Sequence, residues 1–313
     1  MENYLIAMAV TGCLYALMAL GLNLTWGLAG MVNLGLVGFV AVGAYVSALL
    51  TVKFGLPITV GVAASAIAAA LTGGIVALIT ARLRGDYLAI VTLGFAETIR
   101  ITASNEIWLT NGTDGLSGIP GPYRGALSPE LYNLVFLGIA AAVLAITFGL
   151  AESLAQAPFG RVLRAIRDDE QVAAVAGKPV TAFKIKAFAL GSAALGIAGA
   201  LYGHYTSYIA PDIFVPLLTL YVTLALLAGG RGNNRGAVIG GFVVVFLLES
   251  GRFVIPLVPG LTAVQGAALR EFLIAALLIV ILRLRPGGLV PEPRLHVKMP
   301  ATEADPDAQH LVV

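Results

Sequence analysis

The chain has 313 residues, 58% of them hydrophobic and only 12% charged, with 19 basic against 17 acidic side chains and a mean hydropathy of +0.92. A soluble domain carries roughly 25% charged residues, so this composition excludes a water-soluble fold of this size and leaves a membrane protein. The net charge of +2 excludes little, and a lone cysteine, Cys13, excludes an internal disulfide.

Met1, Glu2 and Asn3 lack the basic region of a secretory signal, so the first apolar run reads as a retained helix. A bilayer span needs about 20 mainly apolar residues. Nine such segments are predicted: 4–24, 31–52, 56–81, 86–102, 131–151, 181–206, 213–230, 236–256 and 268–285. The expected fold is an all-α polytopic transmembrane bundle of nine spans, within a range of eight to ten, over residues 1–285. The second segment is rich in glycine (Gly35, Gly38, Gly43), which fits a broken or re-entrant helix. Residues 103–130 read as a polar outside loop containing Asn111-Gly112-Thr113-Asp114-Gly115 and Ile119-Pro120-Gly121-Pro122. Residues 286–313 read as a charged, proline-containing cytoplasmic tail with a disordered end. Gly199 and Gly203 stand four apart, and Gly232, Gly236 and Gly240 follow the same spacing, which lets helix backbones approach closely.

Lysine and arginine collect in cytoplasmic loops. With the N-terminus outside, the inside holds Arg82 and Arg84; then Arg161, Arg164, Arg167, Lys178, Lys184 and Lys186; then Arg231 and Arg235; then Arg283, Arg285, Arg294 and Lys298, which is fourteen of the 19 basic side chains. The reverse orientation would place these outside. A plasma-membrane protein with an outside N-terminus and a cytoplasmic C-terminus is therefore expected.

The cytoplasmic loop at 152–180 carries the strongest functional pattern. Phe159, Val162, Leu163 and Ile166 follow i, i+3, i+4, i+7 spacing and form one apolar stripe, with Arg161, Arg164 and Arg167 on another face. Asp168 or Asp169 is a candidate N-cap for a second short helix over 170–176, and Gly177 with Pro179 supplies its stop. The predicted product is a helical elbow. By chemistry alone it either lies on the membrane, its arginines meeting anionic headgroups, or docks a soluble partner through the apolar stripe.

Ionisable residues inside spans are costly and so informative. Glu97 and Arg100 stand three apart, as do Glu249 and Arg252, and Arg270 adjoins Glu271. Intrahelical pairing that reduces desolvation is one reading. The sharper one is that a pair lines the route and meets the two charged ends of a zwitterionic amino acid.

Several stretches in order resemble the branched-chain amino acid ABC transporter permeases of the LivM type, within the wider family that includes ribose-type sugar permeases. They are Gly21-Leu22-Asn23-Leu24 with Trp26-Gly27-Leu28-Ala29-Gly30, then Gly43-Ala44-Tyr45, Gly85 to Phe95, Thr113 to Pro120, Gly160-Arg161 through Glu170 to Gly177, and Arg285-Pro286-Gly287-Gly288-Leu289. The resemblance implies that the elbow is the coupling segment that docks into a cleft of an ATPase subunit, and its residues there are Phe159, Gly160, Arg161, Leu163, Arg164, Ile166, Arg167, Glu170, Ala173 and Gly177. Ala176 stands where the family has a large apolar residue, and Leu36 where it often has histidine. Asn23, Asn33, Tyr45, Thr92, Glu97 and Glu249 are the side chains assigned to the substrate path.

The implied assembly contains a LivH-like second permease, two ATP-binding subunits, a periplasmic or extracellular binding protein and membrane lipid, with no nucleic acid. This chain lacks a phosphate loop, since Gly177-Lys178-Pro179 has neither the upstream glycine nor the hydroxyl residue. It is expected to bind no cofactor or metal of its own, ATP being held by the partners, and to catalyse no reaction. His204, His296 and His310 are widely separated, and His204 is expected to be an interfacial or packing residue. Leucine, isoleucine and valine are the expected substrates, with urea or short amides as the rival within the family. An ion-coupled secondary transporter is the rival from another class, and a non-transporting scaffold ranks last.

Overall fold

The computed structural model describes residues 2–80, 83, 85–254 and 263–292. The protein is an all-α bundle. Its helices are α1 (Glu2–Leu22), α2 (Leu36–Val52), α3 (Ile58–Thr80), α4 (Asp86–Asn105), α5 (Ile107–Thr110), α6 (Pro129–Gln156), α7 (Pro158–Asp168), α8 (Glu170–Val175), α9 (Val180–Thr206), α10 (Pro216–Gly229), α11 (Asn234–Val254) and α12 (Ala263–Leu284). Among the described residues, five helical runs are long and apolar enough to cross a membrane: Asn3–Leu28, Ile58–Thr80, Pro129–Gln156, Val180–Thr206 and Pro211–Gly229. Leu36–Val52 is apolar but shorter, and α4 carries Asp86, Glu97 and Arg100.

Two helices occupy the centre. α1 packs against α6, α9, α10 and α11, while α9 packs against α1, α2 and α3. The most apolar stretches of both are 61% buried inside the chain, against 28% for α3 and 22% for α6. The outer helices turn Ile67, Leu71, Ile75 and Ile146 away from the protein. In lipid such faces need no protein cover, because hydrocarbon solvates them.

Close helix contact depends on glycine. A Cβ on Gly199 of α9 would lie 2.0 Å from the Val40 carbonyl of α2, and one on Gly43 would lie 2.2 Å from the Gly196 carbonyl. Gly203 makes no such crossing, since its Cβ would meet only side-chain methyls, of Ile209 at 3.3 Å and Ile119 at 3.7 Å. Gly236 and Gly240 do, resting against the backbone of Gly229 and Ala225 on α10.

The second predicted segment begins late, at Leu36, and from there α2 runs unbroken through Gly38 and Gly43. α1 runs into a π-helical turn, Asn23–Leu28, and residues 29–35 are irregular before α2 begins. Residues 103–130, expected as a loop, are partly built: α4 continues to Asn105, α5 follows, and β1 (Leu116–Ser117) pairs antiparallel with β2 (Tyr208–Ile209). This end of the bundle is tied by His204, which is buried on α9 rather than interfacial. Its Nδ1 lies 2.7 Å from the Pro120 carbonyl and its Nε2 2.8 Å from the Ser47 hydroxyl. A carbonyl can only accept, so Nδ1 carries the proton and Nε2 accepts from Ser47. Replacing His204 by alanine leaves a buried carbonyl and hydroxyl unpaired, at about 1–3 kcal/mol each. We expect thermal unfolding in detergent to show His204→Ala clearly less stable than Ser47→Ala.

Residues 286–292, the start of the expected cytoplasmic tail, are tied to the bundle. Leu289 and Val290 donate to the Ala228 and Gly229 carbonyls, both at 2.8 Å, and so occupy acceptors left open at the end of α10. The tail's remainder lies outside the described residues, as does the Arg82–Arg84 part of the charge pattern except Leu83.

Candidate functional site

The elbow is two short helices. Pro158 opens α7, where its missing N–H costs nothing. Gly160 lets α7 fold tightly over the end of α6, since a Cβ there would lie 2.3 Å from the Ala155 carbonyl. Asp169, not Asp168, caps α8 by accepting from the Gln171 and Val172 N–H groups at 2.8 and 3.0 Å. α8 ends in a Schellman turn: Gly177, at φ +75°, donates to Ala174, and Lys178 to Ala173.

The apolar stripe points inward, which corrects the reading in which the stripe itself docks a soluble partner. Leu163 and Ile166 are buried, and Phe159 stacks on Phe183 of α9 with ring centroids 5.5 Å apart. Ala173 and Val180 close the same small core with Ile166. Gly160, Leu163, Ile166 and Ala173 are therefore buried within the chain and hold the elbow in place, with Phe159 half-buried beside them.

The arginines do not form one outward face either. Arg164 donates to the Ala155 carbonyl at 2.8 Å. Arg167 donates to the Gly27 carbonyl at 2.6 Å and lies 2.9 Å from Glu292 Oε2. Arg161 is exposed. Glu170 pairs with Lys184 of α9 at 2.7 Å, and Lys184 is nearly buried. The exposed surface of the elbow includes Arg161, Ala165, Asp168 and Gly177, and its large apolar members are Val172 and Val175 of α8, which are 64% and 91% exposed. Between the elbow and residues 29–31, Leu83, Gly85 and Leu88 is a cavity of about 320 Å³ edged by Arg167, Asp168, Asp169, Glu170 and Lys184.

The six side chains assigned to the substrate path are not brought together. Asn23 is buried in the π-helical turn, donating to Asn234 Oδ1 and accepting from the Gly232 N–H, both at 2.9 Å. Asn33 is buried in the α1–α2 connection and accepts from the Gly35 N–H, and Thr92, buried on α4, accepts from the Leu34 N–H of the same connection at 3.1 Å. Tyr45 lies elsewhere, its ring 5.9 Å from Phe214. Glu97 pairs with Arg100 on its own helix at 3.0 Å, and Asp212 stands 4.0 Å from the same arginine. Glu249 accepts from the Tyr4 hydroxyl. The side chains of Arg252 and Arg270 lie outside the described residues, so the Glu249–Arg252 and Arg270–Glu271 pairs are not placed.

A second cavity, of about 250 Å³, lies among the central helices. Thr11, Leu14, Tyr15 and Met18 of α1, Val40 of α2, Tyr202 of α9 and residues 213–218 with Tyr221 leading into and along α10 line it. Its lining is aliphatic and aromatic with three tyrosines and one threonine, the composition of a small-molecule site. None of the six assigned residues lines it; Tyr45 stands one layer behind, against Phe214.

Comparison with known proteins identifies the family. Residues 4–282 match the model of the branched-chain amino acid transport system permease component. The high-affinity branched-chain amino acid permease LivM of Salmonella typhimurium is 28% identical over 319 residues, covering 93% of this chain and 71% of that protein. The probable LivM of Methanocaldococcus jannaschii is 31% identical over 322 residues, covering 89% and 91%. LivH of Escherichia coli is 24% identical over 301 residues, covering 91% and 93%. No solved structure matches. The chain is thus an integral membrane protein that belongs to the branched-chain amino acid transport system permease family.

Proposed function

We propose that this chain is one of two permease subunits of an ABC importer and that it conducts leucine, isoleucine and valine handed over by a binding protein. A LivH-like subunit completes the pore, and two ATP-binding subunits supply the energy. In this reading the nine segments span the membrane with the N-terminus outside, which puts the elbow and the 286–292 strap in the cytoplasm and β1–β2 at the outer surface.

The observation that carries the substrate class is the apolar cavity bounded by Tyr15, Val40, Tyr202, Phe214 and Tyr221. Burying an aliphatic side chain the size of leucine's is worth about 1.5–3 kcal/mol. Urea has no such side chain, so the same walls would only strip its hydrogen bonds to water. The hydroxyls of the tyrosines are suited to the polar end of an amino acid.

In the coupling step, nucleotide binding closes the ATPase dimer and displaces the elbow through the exposed face of α8. That displacement transmits energy only because the contact differs between the open and closed dimer.

The test is uptake of labelled leucine and urea by proteoliposomes holding the whole complex with its binding protein, with and without ATP. ATP-dependent leucine uptake well above that of urea is expected. Preferential urea uptake would move the substrate to short amides, and uptake driven by an ion gradient without ATP would replace the importer with a secondary transporter.

A further inference from the structure

Glu292 occupies a position that the coupling role of the elbow alone does not account for. The elbow is joined covalently to α6 and α9 only. Yet the central cavity is walled largely by α1 and by α10 with its approach. A displacement of the elbow has to reach those two helices by another path.

Glu292 provides one. Its Oε2 is 2.9 Å from Arg167 Nη1 and its Oε1 3.4 Å from Arg164 Nε, so one carboxylate bridges two successive arginines of α7. The same Arg167 nitrogen donates to the Gly27 carbonyl in the π-helical turn that ends α1. The backbone just before Glu292 is fixed to α10 by the Leu289 and Val290 hydrogen bonds, and Asn233 Nδ2 donates to the Pro291 carbonyl at 3.0 Å. Gly288, at φ +78°, lies so close to Gly230 that a Cβ would fall 2.5 Å from its Cα. The Glu292 side chain is 25% exposed and those of Arg164 and Arg167 are 20% and 18% exposed, so the three charges are largely withdrawn from water. Partly buried charges of this kind are screened little by salt and are costly to separate.

We infer that Glu292 is a positioning residue for transport: it latches the elbow to the ends of α1 and α10, so that the stroke received at α8 moves the cavity walls. The inference rests on the importer reading above. The Arg285-Pro286-Gly287-Gly288-Leu289 stretch, which the mechanism otherwise leaves unused, then serves to carry Glu292 to its arginines.

The experiment compares wild type, Glu292→Gln and Glu292→Asp as the full complex in proteoliposomes, reading assembled complex, ATP hydrolysis and leucine uptake. Glu292→Gln keeps the backbone anchors and the side chain's size and loses the charge. The expected result is continued ATP hydrolysis with leucine uptake per ATP lowered about tenfold, within the usual range of coupling between sites, and substantially restored by Glu292→Asp. Uptake per ATP equal to wild type, or a loss of uptake that only follows a loss of assembled complex, overturns the inference. A second readout does not depend on transport: the distance between spin labels at Ala165→Cys and Arg235→Cys, both exposed positions on either side of the latch. If even the wild-type complex moves no branched-chain amino acid, the importer reading fails and this distance decides. A distribution broadened by Glu292→Gln keeps the latch, and an unchanged one removes it.

Discussion

Gly199→Val is expected to prevent accumulation of folded protein, whereas Gly203→Ala, one turn along the same helix, is expected to leave it near wild type. At Gly199 the added Cβ would sit 2.0 Å from the Val40 carbonyl oxygen and 2.9 Å from its carbon. Both are backbone atoms of α2, so no side-chain rotation relieves the overlap and the two helices must separate. Separation would also open the contact one turn away, where Gly43 rests on Gly196. Overpacking in a core costs about 1–3 kcal/mol when side chains can shift. With backbone against backbone the cost rises to the order of 4 kcal/mol, a large part of a domain's stability. At Gly203 the nearest atoms are side-chain methyls of Ile209 at 3.3 Å and Ile119 at 3.7 Å, with no backbone in the way, so a shift of a few tenths of an ångström suffices, and alanine favours the helix. Yield of monodisperse protein after detergent extraction, with thermal unfolding, distinguishes the two. Equal behaviour would mean that the α2–α9 crossing tolerates more separation than its geometry implies.

Val175→Asp is expected to leave folding unchanged and to reduce ATP-driven uptake about 30-fold or more, the loss that follows removal of a buried interface anchor of at least 2 kcal/mol. Val175 ends α8 and is 91% exposed, so within the chain the substitution disturbs little. If an ATPase cleft receives α8, a carboxylate there would be stripped of water with no partner, which is costly. The measurement pairs retention of the ATPase subunits on the tagged permease with leucine uptake. Full retention and full uptake in Val175→Asp would take α8 out of the docking surface and restore the reading in which the elbow lies on the membrane. Arg164→Glu is a poorer probe of docking. It would set a second carboxylate beside Glu292 and remove the bond to the Ala155 carbonyl, so uptake would fall through the elbow's own collapse.

Composition and order of residues settled a good deal. With so few charges, the chain has no polar surface with which to meet water, and its apolar runs fall where the long helices are. Local signals were equally legible: Asp169 before Glu170, Gly177 after Val175 and Pro158 at the start of α7 each act within a turn of their own position. The structure also explains two of the family-like stretches by close approach, at Gly160 over α6 and at Gly288 over Gly230.

What faces what was decided only by the tertiary structure. Helices meant for lipid are apolar all round, so periodicity cannot tell the buried α1 and α9 from the peripheral α3 and α6. The stripe of Phe159, Leu163 and Ile166 announced that α7 has an apolar face, but not that α9's Phe183 covers it. A carboxylate in a proline-containing tail gave no sign that it would meet Arg164 and Arg167, because attraction between charges depends on their separation in space, which chain order does not fix. The cavity is the same case. Tyr15 lies on α1, far in sequence from Tyr202 and Tyr221 on the successive helices α9 and α10, and only the packing of α1 against both brings the three residues to one space.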